Sequence, residues 1–453
     1  MSVETPHKQY TANVEKWKKV EACVSGEPAI YSYLIDPNPT DEKRFADYKK
    51  RAEFWAVTRR TDTTFKGMPF AKDPEIDIPT QIEYLLDDAT GEGVTLEQFC
   101  KSAVSEVNKK GRFGNLVDYP VKDGETVTLA DVKRLNLQAS FKEYSAENII
   151  NWDTKKIGGK IALSLVILRE DYETSTDEFT TECDTQYRVL ALDENNNYTV
   201  RIFRDGVQFG ETLYPSDSFG QMKYIPFYFA GSVDNNSDVD IAPLESIADI
   251  NIGHYRNSAD HEEMLHLVGQ VQPVVVGVDQ AAVEANGGSF EYGSRTVWTL
   301  PTDADAKLLQ VNESSAYAKE MERKEERAVT LGARLITQSG QAETAEAAKI
   351  KFAGDSASLV NVVQNVSQMI EVSLVTAARM MQVQGADVTY KINTEFYDKT
   401  ASPEMITRMI MLEDRGTIAK SDTRSYLRQT GVIDGDRTDE DLNAEAEKAS
   451  PIA

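Results

Sequence analysis

The chain has 453 residues, enough for two or three domains, and its 41% hydrophobic and 27% charged residues are usual for a soluble folded protein. Its net charge of −25 argues against a surface that wraps nucleic acid, because such binding needs cations that neutralise phosphates, but it permits a protein past which DNA moves without sticking. The three cysteines have no paired spacing, which argues against a disulfide framework and a cysteine metal site and indicates a reducing cytoplasm as the place of synthesis. The charged N-terminus argues against an export signal, and the lack of a long apolar run argues against a membrane span.

The N-terminal part of the sequence has helical periodicity. It predicts helices over residues 8–24, 41–58 and 96–110, the last starting at a capping box of Thr95 and Gln98. A period of two then predicts antiparallel strands, and with them an α+β fold class. These strands cover residues 113–120, 160–170, 187–193, 198–204 and 224–229.

Another helix is predicted to begin at Pro243 and to end near Gly269, since proline is favoured in a first helical turn. Short strands are predicted to follow over residues 273–276, 295–300 and 307–311. Near the C-terminus the patterns predict a strand over 387–396, helices over 403–412 and 423–429, and a frayed acidic tail over 438–453.

The hydrophobic periodicity of residues 313–384 predicts two helices, separated by a break of small residues at 337–341. The first helix has an apolar stripe at Tyr317, Met321, Ala328, Leu331 and Leu335. A basic flank lies on one side and an acidic flank on the other, at Lys319, Arg323, Arg327 and Arg334 and at Glu322, Glu325 and Glu326. This division suits copies standing side by side in a ring, where each basic flank meets a neighbour's acidic flank. The plainer interpretation is an antiparallel helical hairpin in a globular core.

The second helix, with Thr344 as a plausible N-cap, could run for about 40 residues, roughly 60 Å, with a bend near Gly354. Its apolar positions have the spacing of a packed helix. They are Leu359, Val362, Val363, Val366, Met369, Ile370, Leu374, Ala377, Ala378 and Met381.

Catalytic and metal-binding patterns are poor. His261 and His266 are five residues apart, which rotates them off the shared helical face that zinc ligation needs. The calcium-loop offsets at Asp234, Asn236 and Asp238 are followed by Val239 where the turn requires glycine. The sequence therefore predicts no catalytic residue, no metal and no cofactor.

Three patches of sequence carry a family resemblance. They are residues 243–260, residues 338–340 with 343–347, and residues 111–114 with 116–120. In combination they resemble the portal (connector) proteins of tailed bacteriophages, in a portal-like branch known as a phage domain of unknown function. The likeness extends over roughly residues 10–440.

The resemblance implies a portal fold with an α/β wing, a two-helix stem, a small β-containing clip, a long kinked wing helix and a short helical crown. It divides the chain into a wing at 1–240, a descending stem helix at 241–270, a clip at 271–311, an ascending stem helix at 312–336, a tunnel loop at 337–344, the wing helix with a return strand at 345–400, and a crown with the acidic tail at 401–453.

It also implies three groups of site residues. The tunnel loop would touch DNA weakly through Thr337, Gln338, Ser339, Gly340 and Gln341. Contacts between subunits in the stem would use Lys319, Glu322, Arg323, Glu326 and Arg327, although the three cations are alternatively phosphate contacts. The clip would present Val274, Val276, Arg295, Val297 and Trp298.

By this resemblance the protein forms a ring, usually of twelve subunits, at one capsid vertex of the virion, through which genome DNA is packaged and ejected. Its partners would be its own copies, the terminase large subunit, head-completion or adaptor proteins, and the major capsid and scaffolding proteins, with transient contact to double-stranded DNA and none to a membrane. Assembly would take place in the host cytoplasm. The alternative is a non-enzymatic soluble helical scaffold or adaptor that acts as a monomer or dimer.

Overall fold

The computed structural model describes residues 2–37, 39, 41–120, 137–174, 179–269, 272–291, 293, 296–309, 315–331, 345–396, 403–429, 431–433 and 437–449. The chain divides into two units. The first comprises Met1–Ala342 and Ala353–Asn393, and the second comprises Glu343–Phe352 and Thr394–Ala453. Helices and small antiparallel sheets occur together among the described residues, so the α+β class is confirmed.

Five helices open the first unit. They are α1 Lys8–Ser25, α2 Glu42–Arg51, α3 Val57–Gly67, α4 Tyr84–Asp87 and α5 Leu96–Lys110. The predicted capping box of α5 is present: the Gln98 amide donates to Thr95 Oγ1, and the Thr95 amide donates to Gln98 Oε1, both at 3.2 Å. The helix stops at Gly111, whose φ of 70° is left-handed.

The single helix predicted over residues 41–58 is wrong, because the chain leaves helical geometry between α2 and α3. There the Glu53 amide donates to Ser258 Oγ at 3.1 Å, and the Trp55 carbonyl accepts from Asn251 Nδ2 at 2.7 Å. Side chains from a distant part of the chain therefore satisfy backbone groups that a continuous helix would have used.

Eleven strands follow or interleave with these helices in the described part of the first half. They are β1 Glu75–Asp77, β2 Arg112–Asp118, β3 Ser140–Ser145, β4 Ile149–Ile157, β5 Lys160–Glu173, β6 Cys183–Leu192, β7 Tyr198–Arg204, β8 Val207–Leu213, β9 Ser216–Asp217, β10 Gly220–Gln221 and β11 Phe227–Gly231. Strands β4 to β8 form an antiparallel five-stranded sheet in chain order, and β11, β2 and β3 form a three-stranded sheet. The predicted strands are confirmed with shifted ends, whereas β1, β3, β4, β8, β9 and β10 were not predicted.

The remaining elements of the first unit begin with a long helix. They are α6 Glu245–Gly269, β12 Gln272–Val276, α7 Gln280–Ala285, β13 Asp305–Leu309, α8 Ala316–Thr330, α9 Ala345–Met380, whose first residues fall in the second unit, and β14 Thr389–Lys391, which pairs with β1. The strand predicted over 295–300 is absent from the described residues 296–300. There the Thr299 amide donates to Asn286 Oδ1, and Trp298 Nε1 donates to the Glu291 carbonyl, so this segment is held to the loop after α7.

Helix α9 packs its apolar stripe into the core of the first unit. Every predicted apolar position from Leu359 to Ala378 is buried. Polar contacts fix the helix to the three-stranded sheet, with Asn115 Nδ2 donating to Ser373 Oγ at 2.9 Å and the Tyr228 and Thr376 hydroxyls 2.6 Å apart. The predicted bend near Gly354 stays a prediction.

The second unit contains three further helices, α10 Pro403–Asp414, α11 Lys420–Gln429 and α12 Asp439–Ala449. The frayed tail predicted from residue 438 is wrong, because α12 occupies most of it. Thr438 and Asp441 form reciprocal hydrogen bonds at its start, and Asp439, Glu440 and Asp441 in the first turn favour the helix dipole. Arg424 also donates to Asn443 Oδ1 of α12 at 2.7 Å.

Candidate functional site

Helices α6 and α8 pack against each other, with the β12–β13 hairpin between them in the chain. The first half of α6 is anchored in the core through Asn251, which is fully buried. Its Nδ2 donates to the Trp55 carbonyl at 2.7 Å, and its Oδ1 accepts from Thr58 Oγ1 at 2.8 Å. Asn251 therefore joins α6 to the start of α3, and much of the patch at residues 243–260 is structural.

The second half of α6 is held by α2. Glu263 accepts hydrogen bonds from Arg44, with Nη2 at 3.0 Å from Oε1, and from Arg51. Burial alone raises the pKa of Glu263, but the hydrogen bonds and charges of the two arginines outweigh it and leave this pKa below its ordinary value. Tyr48 adds a hydrogen bond to Asp260 at 2.7 Å. The outer part of α6 is thus fixed although Leu265 and Leu267 are substantially exposed.

Helix α8 turns one side toward α6. Ala328 is fully buried, while Tyr317 and Met321 of the predicted stripe are half-buried. Leu331 is 48% exposed, and Leu335 lies outside the described residues. The apolar stripe is therefore buried only at part of its length.

Lys324 occupies the middle of the α6-facing side of α8, which the sequence pattern did not reveal. Its Nζ donates to the Gly253 carbonyl at 3.0 Å. Because Gly253 has no Cβ, the lysine stem lies close to the α6 backbone: a Cβ there would be 3.4 Å from Lys324 Cε. The signal in the sequence was a glycine inside a helix.

His254 of α6 faces Glu325 of α8, with Nε2 3.2 Å from Oε1. Its ring also packs on Trp55, with ring centroids 5.1 Å apart. Burial lowers the pKa of His254, and the contact with Glu325 opposes that effect. A neutral His254 can donate from Nε2 to Glu325, and that hydrogen bond links the two helices at neutral pH.

The charged flanks of α8 remain at the surface of the chain. All five predicted contact residues are exposed: Lys319, Glu322, Arg323, Glu326 and Arg327. Arg323 makes a two-pronged contact to Glu320 in its own helix, at 2.9 Å and 2.7 Å. This hydrogen bond lowers the pKa of Glu320. Within one chain, Arg323 therefore has a local carboxylate partner.

Four of the five predicted clip residues are described, and the structure divides them between two segments. Val274 and Val276 lie in β12, opposite Lys307 and Asp305 of β13. Trp298 packs edge-on against Phe290, with ring centroids 5.6 Å apart, while Val297 is 89% exposed. Arg295 lies outside the described residues. An open cavity of about 430 Å³ beside this segment is lined partly by Trp298 and Leu308.

The predicted tunnel-loop residues 337–341 lie outside the described residues. Within the part of the chain that the structure describes, no three His, Cys, Asp or Glu side chains are grouped to hold a metal ion. In the same residues no helix is long and apolar enough to span a membrane.

The patch at residues 111–114 packs tightly inside the first unit. Arg112 is 1% exposed, with its guanidinium carbon 3.8 Å from the Trp152 ring centroid and 4.0 Å from that of Phe229. Burial lowers the pKa of this guanidinium to about 9, so it remains charged at neutral pH. The two rings stabilise the buried cation.

Residues 243–381 match the family model described as Domain of unknown function (DUF4055), which spans α6, the hairpin, α8 and α9. No curated protein matches the chain.

Solved structures are similar over most of the chain at 11% identity. The virion of a native gene transfer agent (GTA) particle gives a TM-score of 0.46 and covers 90% of this chain and 98% of the other. The neck of an empty GTA particle, computed with C6 symmetry, gives 0.45 and covers 89% and 98%. The neck of the native particle, computed with C12 symmetry, gives 0.43 and covers 82% and 89%. No residue takes a role from similarity at this level. The family model agrees with the part of the sequence resemblance that named a domain of unknown function.

Proposed function

We propose that this chain is a portal protein, whose copies form a ring-shaped channel at one capsid vertex of a virion. The observation that carries the proposal is the division of α8 into a side held on α6 and two exposed charged flanks. A helix fixed to its own chain on one side can present opposite charges to two identical neighbours, as a closed ring requires. Lys319, Arg323 and Arg327 would face Glu322 and Glu326 of the next copy.

The charge of the chain suits passage of DNA. Each copy brings a formal charge of −25, and the part of it that faces the channel would repel DNA phosphates and keep the duplex from adhering. We assign residues 337–341, which follow α8, to the tunnel loop. Residues 1–240 would be wing, 271–311 clip and 401–453 crown and tail.

Portal function also assigns partners. A separate terminase would drive the DNA, since this chain would contribute no catalysis. Head-completion proteins would dock on the segment of Val274, Val276, Val297 and Trp298, because Val276 and Val297 are exposed and Trp298 lines an open cavity. Capsid and scaffolding proteins would contact the wing.

One observation favours the alternative of a monomeric or dimeric helical scaffold. Arg323 already pairs with Glu320, so its exposed charge does not by itself require a neighbour. The two functions differ in whether the cation at this position is needed for assembly.

Reversing the charge of Arg323 on α8 distinguishes the portal function from the scaffold function. We expect Arg323→Glu to abolish ring assembly, measured by mass photometry, because it places a carboxylate against the neighbour's acidic flank. The single change also sets two carboxylates three residues apart in one helix, which costs a few tenths of a kcal/mol.

The matched control is the double variant Glu320→Arg/Arg323→Glu, which keeps the local pair with its charges exchanged. Loss of rings in both variants supports pairing of Arg323 between copies. Full assembly of the double variant would mean that Arg323 serves only its own helix. Intact rings with altered DNA packaging in the single variant would move Arg323 to the channel.

A further inference from the structure

Strand β8 is an apolar edge strand of the five-stranded sheet. Among the described strands it pairs with β7 alone. Val207 is 70% exposed and Phe209 is 56% exposed, and their spacing of two residues places them on one face of the strand. Phe209 is held in place because its ring lies 3.9 Å from the Arg204 guanidinium carbon. An exposed, ordered apolar edge of this kind is a site for pairing with another chain.

A groove of matching character lies on the same chain. It is open to the surface, has a volume of about 750 Å³, and runs between the β4–β5 end of the five-stranded sheet, strand β11 and helix α9. Phe227, Phe229 and Met369 in its lining are almost fully buried, while Ile161 and Val372 are 78% and 42% exposed. The floor is therefore apolar, and apolar side chains also stand at its rim.

The two features are placed for contact between copies. Four inter-strand spacings separate β4 from β8, about 19 Å, so the strand and the groove belong to different edges of the sheet. A strand on one edge that fits a groove at the other makes a head-to-tail contact, which repeats around a ring.

Charged side chains also lie on β8 and beside the groove. Glu211 is exposed on β8, two residues beyond Phe209. Lys156 is exposed and is the register partner of Ile161, so it lies on the groove side of the sheet. Asp238 of the lining accepts a hydrogen bond from Gln9 Nε2 at 2.8 Å. The acidic side chain on the strand thus corresponds to one basic side chain beside the groove.

We propose that β8 of one copy docks into this groove of the next copy, with Val207 and Phe209 covering its apolar lining. The contact rests on the self-assembly proposed above but uses a different surface from α8. It assigns an occupant to the groove and a partner to the exposed edge of the sheet.

Cysteine cross-linking tests this contact. In a Cys183→Ser background, which removes the exposed native thiol, the variant Phe209→Cys/Val372→Cys is oxidised and analysed on a denaturing gel. We expect a ladder of disulfide-linked chains longer than two. Phe209→Cys/Val297→Cys is the control, because Val297 is more exposed than Val372, 89% against 42%, but lies in the segment between β12 and β13.

Each outcome decides the proposal. A ladder well above the control supports it, even if the unmodified chain forms no rings, in which case the portal function fails and the contact stands. Cross-linking that stops at dimers contradicts a head-to-tail contact. Cross-linking no greater than the control overturns the contact, while intact rings in the same preparation would leave the portal function standing.

Discussion

At the scale of single residues, Gly111 illustrates how a sequence patch can be constrained by packing alone. It ends α5 with a φ of 70°, and a Cβ added there would lie 2.2 Å from the Asp240 carbonyl oxygen. Real Cβ atoms do not approach a backbone oxygen so closely, so the main chain on one side would have to move. Glycine is required here by conformation and by space together.

We therefore predict that Gly111→Ala destabilises the protein strongly. The left-handed conformation costs about 1–2 kcal/mol for a residue with a side chain, and the clash with Asp240 adds about 1–3 kcal/mol. Urea unfolding followed by tryptophan fluorescence measures the shift in midpoint.

Gly385→Ala is the matched control for conformation without crowding. Gly385 has a φ of 61°, and nothing lies within 4 Å of an added Cβ. Equal shifts in the two variants would contradict the packing argument for Gly111.

Residue roles were the least predictable part of the molecule. The sequence placed Asn251 and Arg112 in notable patches, but it did not show that one holds the Trp55 carbonyl and the other lies between two aromatic rings. Those contacts join residues about 40 to 200 positions apart, and no local pattern encodes them. The exposed positions of α8 were easier to predict, because helical spacing alone separates its basic flank from its acidic flank.

At the scale of elements, α2 and α6 are joined mainly through Glu263 with Arg44 and Arg51. The folded state holds the pKa of Glu263 below its unfolded value of about 4.3. A carboxylate with a lowered folded pKa contributes stability above its unfolded pKa and loses that contribution as pH falls through the folded pKa.

We predict that Glu263→Gln lowers the unfolding free energy at pH 7 by about 1.5–3 kcal/mol, the usual size for hydrogen bonds to charged groups. The difference from the unchanged protein should shrink as pH falls below about 4, because the unfolded state is protonated first and the folded carboxylate follows at its lowered pKa. Thermal or urea unfolding at a series of pH values checks this.

Glu262→Gln removes the same charge from the neighbouring position, which has no ion pair among the described residues, and should have little effect. A difference between Glu263→Gln and the unchanged protein that does not vary between pH 7 and pH 3 would show that the charge of Glu263 contributes nothing.

Elements with strong local signals were predicted well. The capping box and Gly111 set both ends of α5, and the apolar spacing of α9 placed its buried side over residues 359–378. The errors occurred where distant contacts decide structure, as in the break after α2. The helix α12 was missed because its acidic composition suggested fraying, although Thr438 caps it.

At the scale of the whole molecule, the acidic charge, the exposed flanks of α8 and the β8 edge all concern contacts that a single chain cannot make. The sequence predicted the α+β class and the order of helix, short strands and helix. Ring formation itself depends on complementarity between copies, which neither periodicity nor composition determines.

The most direct test of the account is the assembly state of the purified chain, measured by mass photometry together with negative-stain electron microscopy. The account predicts closed rings with a central hole and a mass near twelve times 50.5 kDa, with a neighbouring whole number of copies equally acceptable. A monodisperse monomer or dimer at high protein concentration would contradict it.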